Sequence, residues 1–138
     1  MTTSTVQQMR WVGGTGITAT LPTGAGAVVE GQPVKLSSGA MVAIAADGET
    51  VFAIAAKDNA ASVDGTYHIV SGDLFEVRAG EIVTAGDVVY AEVTTGDVIT
   101  TGLSTGERSC GVMLESLADQ AYGTMVAHLE ADRGIAHA

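Results

Sequence analysis

The sequence predicts an all-β protein, either a compact antiparallel sandwich or a β-clip (tulip-like) fold with short hairpins and at most one short helix. Two observations support this fold class. Glycine occurs 18 times among the 138 residues and seldom leaves a dozen residues free for an amphipathic helix. Short β-branched runs bounded by Gly, Asp, Ser or Thr also recur at intervals of about ten residues, which is typical of a sandwich or barrel.

The predicted strands are separated by residues that favour tight turns. In chain order the strands are ITAT, AVV, PVKL, MVAIA, TVFAIAA, TYHIV, LFEV, DVVYAEV, DVITT, CGVMLE and GTMVAHLE. Four residue pairs join apolar runs and supply the positive φ that hairpin turns require: Asp47-Gly48, Asp64-Gly65, Gly72-Asp73 and Gly96-Asp97. The segment ESLADQAYG is either one helical turn or a loop.

The chain length fits one domain. We expect residues 1–16 to form a flexible N-terminal arm, residues 17–131 a single β domain and residues 132–138 a C-terminal tail. Hydrophobic residues make up 46% of the chain but aromatic residues only 4%, so the core consists of small side chains. Association with other subunits would add stability that such a core does not give a monomer.

An internal similarity links two stretches, AVVEGQPVKLSSGAMV and EIVTAGDVVYAEVTTGDVI. Alignment pairs Gly31 with Gly86 and Val34 with Val89, and in each stretch an apolar pair leads to a Gly turn and then to an alternating strand. Two interpretations remain open. The halves are either a true duplication or two hairpins that share the general sequence preferences of β hairpins.

Charge and hydropathy exclude several function classes. The net charge is −10, and the six Lys and Arg residues are scattered, so we expect no direct binding to nucleic acid, which needs clustered cations. No apolar stretch approaches the roughly 20 residues that cross a bilayer, and the N-terminus lacks the apolar run of a signal peptide. The protein is therefore expected to be made and kept soluble in a cytoplasm. The single Cys110 is predicted to be a buried core thiol.

No catalytic, cofactor-binding or metal-binding residue is predicted, and we expect the protein not to be an enzyme. His68 and His128 lie in alternating strands and are interpreted as strand-face residues with satisfied hydrogen bonds. Turn geometry alone accounts for five aspartates beside glycines: Asp47, Asp64, Asp73, Asp87 and Asp97. The glycine-rich GGTGIT lacks the Lys of a phosphate-binding loop. A swinging-arm carrier would need a Lys at a hairpin tip, and the tip TTGD has none.

From Gly24 to Leu129 the order of these features resembles phage capsid decoration (cement) proteins, a family sometimes mislabelled as phage recombinases. AGEIVTAGDVVYAE is the most specific matching piece, and GVMLE is the next. The stretch KDNAASVDGTYHIVS is longer than the hairpin usual there. The resemblance implies a β fold that assembles as homotrimers on the exterior of an expanded capsid, binds the major capsid protein and stabilises the virion. The alternatives are a tail or fibre component, or another β-sandwich binding module, and then a β-clip trimeric enzyme.

The N-terminal arm is the predicted capsid-binding segment. Its extended-backbone residues are Thr2, Thr3, Thr5 and Val6, and its anchors are Met9, Trp11 and Val12. We expect this segment to order on docking by adding a strand to an open sheet edge. The competing interpretation is a disordered terminus with Trp11 packed onto its own domain.

Overall fold

The computed structural model describes residues 9–93, 95–101 and 108–133, and these residues form two antiparallel sheets. In chain order the strands are β1 (Arg10–Gly13), β2 (Thr18–Pro22), β3 (Pro33–Ser37), β4 (Ala40–Ala43), β5 (Ala53–Ala55), β6 (Asp64–His68), β7 (Leu74–Arg78), β8 (Val88–Ala91), β9 (Val98–Ile99), β10 (Gly111–Met113) and β11 (Tyr122–Ala127). One helical turn, α1 (Glu130–Arg133), follows. Within the described ranges, no helix has the length and apolar character to cross a membrane. The all-β, sandwich-like fold class is confirmed.

Each sheet curls and closes on itself through a parallel bridge, and β1 lies outside the closed part of the six-stranded sheet. The five-stranded sheet has the order β2-β6-β5-β3-β4, and a parallel bridge between Thr23 and Met41 links its ends. The six-stranded sheet has the order β1-β7-β11-β10-β8-β9, and a parallel bridge between Ala79 and Val98 links β9 to the end of β7. Each curled sheet encloses its own core because alternate strand residues point inward. Tyr67 lies in the core of the five-stranded sheet and Phe75 in the core of the six-stranded sheet, and both are fully buried.

The structure favours the duplication interpretation. Apart from β1, the two sheets share one strand order, so that β2, β6, β5, β3 and β4 match β7, β11, β10, β8 and β9. We call residues 18–68 module 1 and residues 74–127 module 2. Hydrogen bonds outside the ladders also match. In module 1 the Gly24 amide donates to the Met41 carbonyl at 2.9 Å, and in module 2 the Gly80 amide donates to the Val98 carbonyl at 2.9 Å.

The glycine turns aligned by sequence have the same geometry in both modules. Gly31 has φ 84° and Gly86 has φ 90°, a left-handed region that side chains rarely adopt. The Gly31 amide donates to the Ala55 carbonyl and the Gly86 amide to the Met113 carbonyl, each at 2.8 Å. Hairpins that shared only general sequence preferences would not repeat these longer-range bonds.

Positive φ at Gly48, Gly72 and Gly96 confirms three of the four predicted turns. Only Gly96 joins strands that pair, β8 and β9; the hairpin prediction is wrong for the other two, because Gly48 lies between β4 and β5, which do not pair, and Gly72 connects the two sheets. The prediction for Asp64-Gly65 is wrong, because this pair begins strand β6. Glycine is needed there for space rather than for φ, since a Cβ on Gly65 would overlap the side chain of Asn59. In the matching place a Cβ on Gly123 would crowd Leu117.

Other differences from the predicted elements concern short segments. Strand β1 was not predicted, and the AVV run contributes only a bridge between Val28 and Asn59. The ESLADQAYG segment is a loop up to the start of β11, which agrees with one of its two predicted forms. The helical turn lies instead at α1.

Candidate interaction surface

Strand β1 forms one edge of the six-stranded sheet and pairs with β7. Arg10 lies opposite Glu76 and Trp11 opposite Phe75, and the register then shifts in a bulge that contains Val12. The Arg10 guanidinium contacts the Glu76 carboxylate at 2.9 Å, but both side chains are exposed, so this pair adds about 1 kcal/mol or less. Among the described residues, no strand pairs with the outer side of β1. Such an edge is able to accept an added strand.

Asp73 holds the segment after β1 in place. Its carboxylate accepts hydrogen bonds from Trp11 Nε1 at 3.2 Å, from the Thr15 amide at 2.8 Å and from the Gly16 amide at 3.2 Å. The residue is 1% exposed. Sequence reasoning assigned Asp73 to turn geometry and missed this role, because its partners lie 57 to 62 residues away. The Gly-rich GGTG segment beside Trp11 is the one local signal, since it leaves several backbone amides in need of an acceptor.

An aromatic stack joins β1 to both modules. The rings of Trp11 and His68 lie 6.3 Å apart and nearly parallel, and His68 meets Phe75 edge-on at 5.4 Å. His68 Nδ1 is buried without a hydrogen-bond partner in the described structure, so the predicted satisfied hydrogen bond is wrong for this nitrogen. Burial lowers the pKa of His68, and the carboxylates of Asp73 and Glu30 only partly oppose this shift.

We therefore expect the fold to lose stability when the solution is acidified through the ordinary histidine range. The pKa of His68 is lower in the folded protein than its usual 6.5, so below that pH the unfolded chain binds a proton that the folded protein resists. Urea unfolding at about pH 7.5 and about pH 5.5 measures the loss. In the variant His68→Phe, which keeps an aromatic ring, the loss is expected to be smaller; an equal loss in both proteins would contradict this account.

A recess of about 450 Å³ lies between β1 and module 1. It is lined by Met9, Arg10, Trp11, Glu30, Ala55, Asp58 and His68. In the described part of the chain, no group of three or more His, Cys, Asp or Glu side chains is placed to hold a metal ion. The lining holds no serine, threonine or cysteine beside His68. The recess has room for a side chain of a partner, but it contains no arrangement for nucleophilic catalysis.

The outer face of the six-stranded sheet carries a row of apolar side chains. We call Leu74, Val126, Val112 and Val88 the apolar row; they lie in register across the neighbouring strands β7, β11, β10 and β8. Val88 is 47% exposed, and the other three are partly exposed. Leu114, which follows β10, is also exposed on the surface. Neighbouring apolar side chains that are exposed or partly exposed on one sheet face are typical of an interaction site.

The predicted capsid-binding residues have different positions. Thr2, Thr3, Thr5 and Val6 lie outside the described residues. Met9 is 1% exposed and its side chain belongs to the core. Its amide also donates to the Gly31 carbonyl at 2.8 Å. Trp11 packs against the protein's own core, as in the competing interpretation, whereas Val12 is 41% exposed. The described part of the predicted arm, residues 9–16, is thus joined to the domain, and Val12 is an exposed apolar residue of β1.

Cys110 is fully buried, as predicted. Burial raises the pKa of its thiol to about 12, so the thiolate is not available for chemistry at neutral pH. His128 Nδ1 lies 3.4 Å from the Ser109 hydroxyl. His137 lies outside the described residues.

Comparisons with known proteins give a likeness among solved structures. No family model matches the chain, and no curated protein matches it. Among solved structures, it is similar to the N base of head fiber gp8.5 of bacteriophage phi29, with a TM-score of 0.56 and 17% sequence identity. The likeness covers 81% of this chain and 93% of that one. At this identity the comparison shows that the two chains share a fold.

Proposed function

We propose that the protein is a structural component of a phage virion that binds the outer surface of an expanded capsid and stabilises it. The observation that carries this proposal is the fold shared with the base of a phage head fiber over most of both chains. The sequence resemblance to capsid decoration proteins supports the same location independently. The partner is then the major capsid protein, with several copies of the chain, in a homotrimer, contacting neighbouring subunits. Simultaneous contacts give avidity even where each is weak.

The free edge of β1 is the surface best suited to the capsid contact. Residues 1–8 lead directly into Met9, which the core holds, so a strand added through them starts from a rigid anchor. Exposed Val12 lies on the same edge and extends the contact. Backbone pairing supplies affinity in this mode, and alternate side chains supply specificity.

Deletion of residues 1–8 tests the part of this assignment that concerns the segment leading into β1. Because Met9 and β1 are kept, we expect the thermal midpoint of the free protein to be unchanged, while affinity for expanded heads falls at least about tenfold, or about 1.4 kcal/mol. Co-sedimentation with purified empty heads measures binding, and calorimetry of the heads measures their stability with and without the protein. Val63→Asp, an exposed apolar position away from β1, is the control and is expected to bind normally.

Two results would count against the proposal at different levels. A full-length protein that neither binds expanded heads nor raises their resistance to heat and chelator would overturn the decoration function. Full-length binding with no effect of the deletion would overturn only the role of residues 1–8.

A head-fibre base is the second candidate, favoured by the name of the structural neighbour. The two candidates differ in what binding does to the head. A decoration protein raises the melting temperature of the capsid and saturates many symmetry-related sites, whereas a fibre base binds without stabilising the shell.

A further inference from the structure

We propose that the apolar row of module 2 binds one end of module 1 in a second copy of this chain. We call this end, which carries Ile17, Leu36, Phe52 and Ile69, the open end of module 1. The proposal rests on the duplication, because the chain already contains one junction of this type between its own modules. It goes beyond capsid binding and is tested on the free protein.

Part of the row of module 1 that matches the apolar row is covered inside the chain: Ile54 and Pro33 are buried and His68 is half-buried, whereas Thr18 at one end is exposed. The register assigns Thr18, His68, Ile54 and Pro33 to the places that Leu74, Val126, Val112 and Val88 occupy in module 2. Ile54, in the middle of this row, is 0% exposed and belongs to the core of module 2. Module 1 therefore uses this face as a docking surface.

The partner of that face is one end of module 2. Cys110 and Leu129 lie at this end and share a core cluster with Ile54. Backbone bonds join the modules there: the Gly48 amide donates to the Ala91 carbonyl at 2.9 Å, and the Glu130 amide to the Val51 carbonyl at 3.0 Å. The intrachain junction thus places the row of one module against the open end of the next.

Module 1 has a corresponding open end. The Phe52 amide donates to Val34 as the Cys110 amide does to Val89, each at 2.8 Å, so Phe52 and Cys110 occupy equivalent places. Apolar side chains surround this end in module 1: Ile17, Leu36, Phe52 and Ile69. Ile17 is 53% exposed and Leu36 is 43% exposed, whereas Cys110 is buried. The Phe52 carbonyl accepts a bond from the Ala131 amide at 3.0 Å, so the exposed part of this end is Ile17 and Leu36. The chain therefore leaves part of each half of the junction exposed.

A contact between an apolar row and an open end is heterologous, since the two partners contribute different surfaces. Such contacts close into a ring if the rotation between copies permits it and otherwise form a filament. The net charge of −10 opposes association of copies, so we expect self-association to strengthen as salt screens the charge.

Sedimentation velocity of the full chain over a range of concentrations, at physiological and at high ionic strength, tests the contact. We expect oligomers from the wild type and at least about tenfold weaker association from Val88→Asp and from Ile17→Asp, because each places a charge in one half of an apolar contact. Val63→Asp, at a position 52% exposed and outside both surfaces, is the matched control and is expected to associate like the wild type. Thermal melts check that all three variants fold.

Mixing the two damaged variants separates this contact from a symmetric one. Val88→Asp retains an intact open end and Ile17→Asp an intact apolar row, so their mixture is expected to form a one-to-one dimer that neither forms alone. A wild type that stays monomeric at all concentrations and salt levels, or a mixture that stays monomeric while the wild type associates, would overturn the proposal. Binding to heads by a monomeric wild type would leave the decoration function intact and assign the apolar row to the capsid instead.

Discussion

Replacing Arg78 with methionine is expected to lower the free energy of unfolding by about 3 kcal/mol, because it leaves Asp97 as a buried charge without its cation. Two parallel bonds join the pair, from Arg78 Nε to Asp97 Oδ1 and from its terminal nitrogen to Oδ2, both 3.0 Å. The Asp97 side chain is 3% exposed and that of Arg78 is 20% exposed. This interaction also raises the pKa of Arg78, chiefly through the hydrogen bond to Asp97.

The pair lies where module 2 closes, beside the bridge between Ala79 and Val98. Loss of the pair is therefore expected to loosen the curled sheet as a whole. Urea unfolding followed by circular dichroism measures the free energy. Arg10→Met is the matched control, since its exposed pair with Glu76 is expected to cost about 1 kcal/mol or less. Equal losses in the two variants would show that burial of Asp97 has no energetic consequence.

A second change separates the charge from the packing. In Arg78→Met combined with Asp97→Asn, the buried group is neutral, so part of the lost stability is expected to return. Further destabilisation by the second change would contradict the buried-charge explanation.

Much of the fold could be predicted from the sequence because its signals are local. Alternating β-branched runs gave most strands, and the positive φ of Gly31 and Gly86 explains why two glycine turns align in the sequence. Strand β1 was missed because its pairing partner, β7, lies more than 60 residues away and its own residues, Arg-Trp-Val-Gly, alternate only weakly. Register and partner choice depend on such distant contacts.

The candidate site could be predicted less well, for a physical reason that Asp73 and Asp97 illustrate. Both lie beside a glycine at a turn, and this local setting is sufficient to explain an aspartate. In the folded chain both are buried and hold distant groups, namely the Trp11 segment and Arg78. Their neighbours in sequence do not distinguish these roles from that of the turn residue Asp87, whose carboxylate accepts a bond from the nearby Thr84 amide.

The difference between the two modules also depends on tertiary structure. Thr18 and His68 in module 1 occupy the places of Leu74 and Val126 in module 2, so the row of module 1 is the more polar one, and its covered part is Ile54 and Pro33. The covered part of the module 1 row needs only shape complementarity to its fixed neighbour, module 2. For the apolar row of module 2, burial against a partner would be favourable because it removes apolar surface from water. The duplication therefore supports the proposed assembly, because the same face is partly covered in one module and left apolar in the other.

Asp73→Ala is expected to have the second large effect, a loss of about 3 kcal/mol in the free energy of unfolding together with weaker head binding. The change removes the acceptor for Trp11 Nε1 and for the amides of Thr15 and Gly16, and hydrogen bonds to a charged group contribute about 1.5–3 kcal/mol each without adding fully. Trp11 is the only tryptophan, so its fluorescence reports the loss of local order directly. Urea unfolding and head co-sedimentation supply the two remaining measurements.

The matched control is Asp87→Ala, which removes a half-buried turn acceptor and is expected to cost about 1 kcal/mol and leave the Trp11 spectrum unchanged. The loss of stability in Asp73→Asn is expected to fall between those of the two variants. Its amide oxygen still accepts a hydrogen bond, but its NH2 group is a donor placed against other donors. If β1 positions the capsid contact, head affinity follows the order of the Trp11 spectral changes across the three variants. Full head affinity in Asp73→Ala, despite an altered Trp11 spectrum, would show that the capsid contact does not depend on the anchored β1 edge.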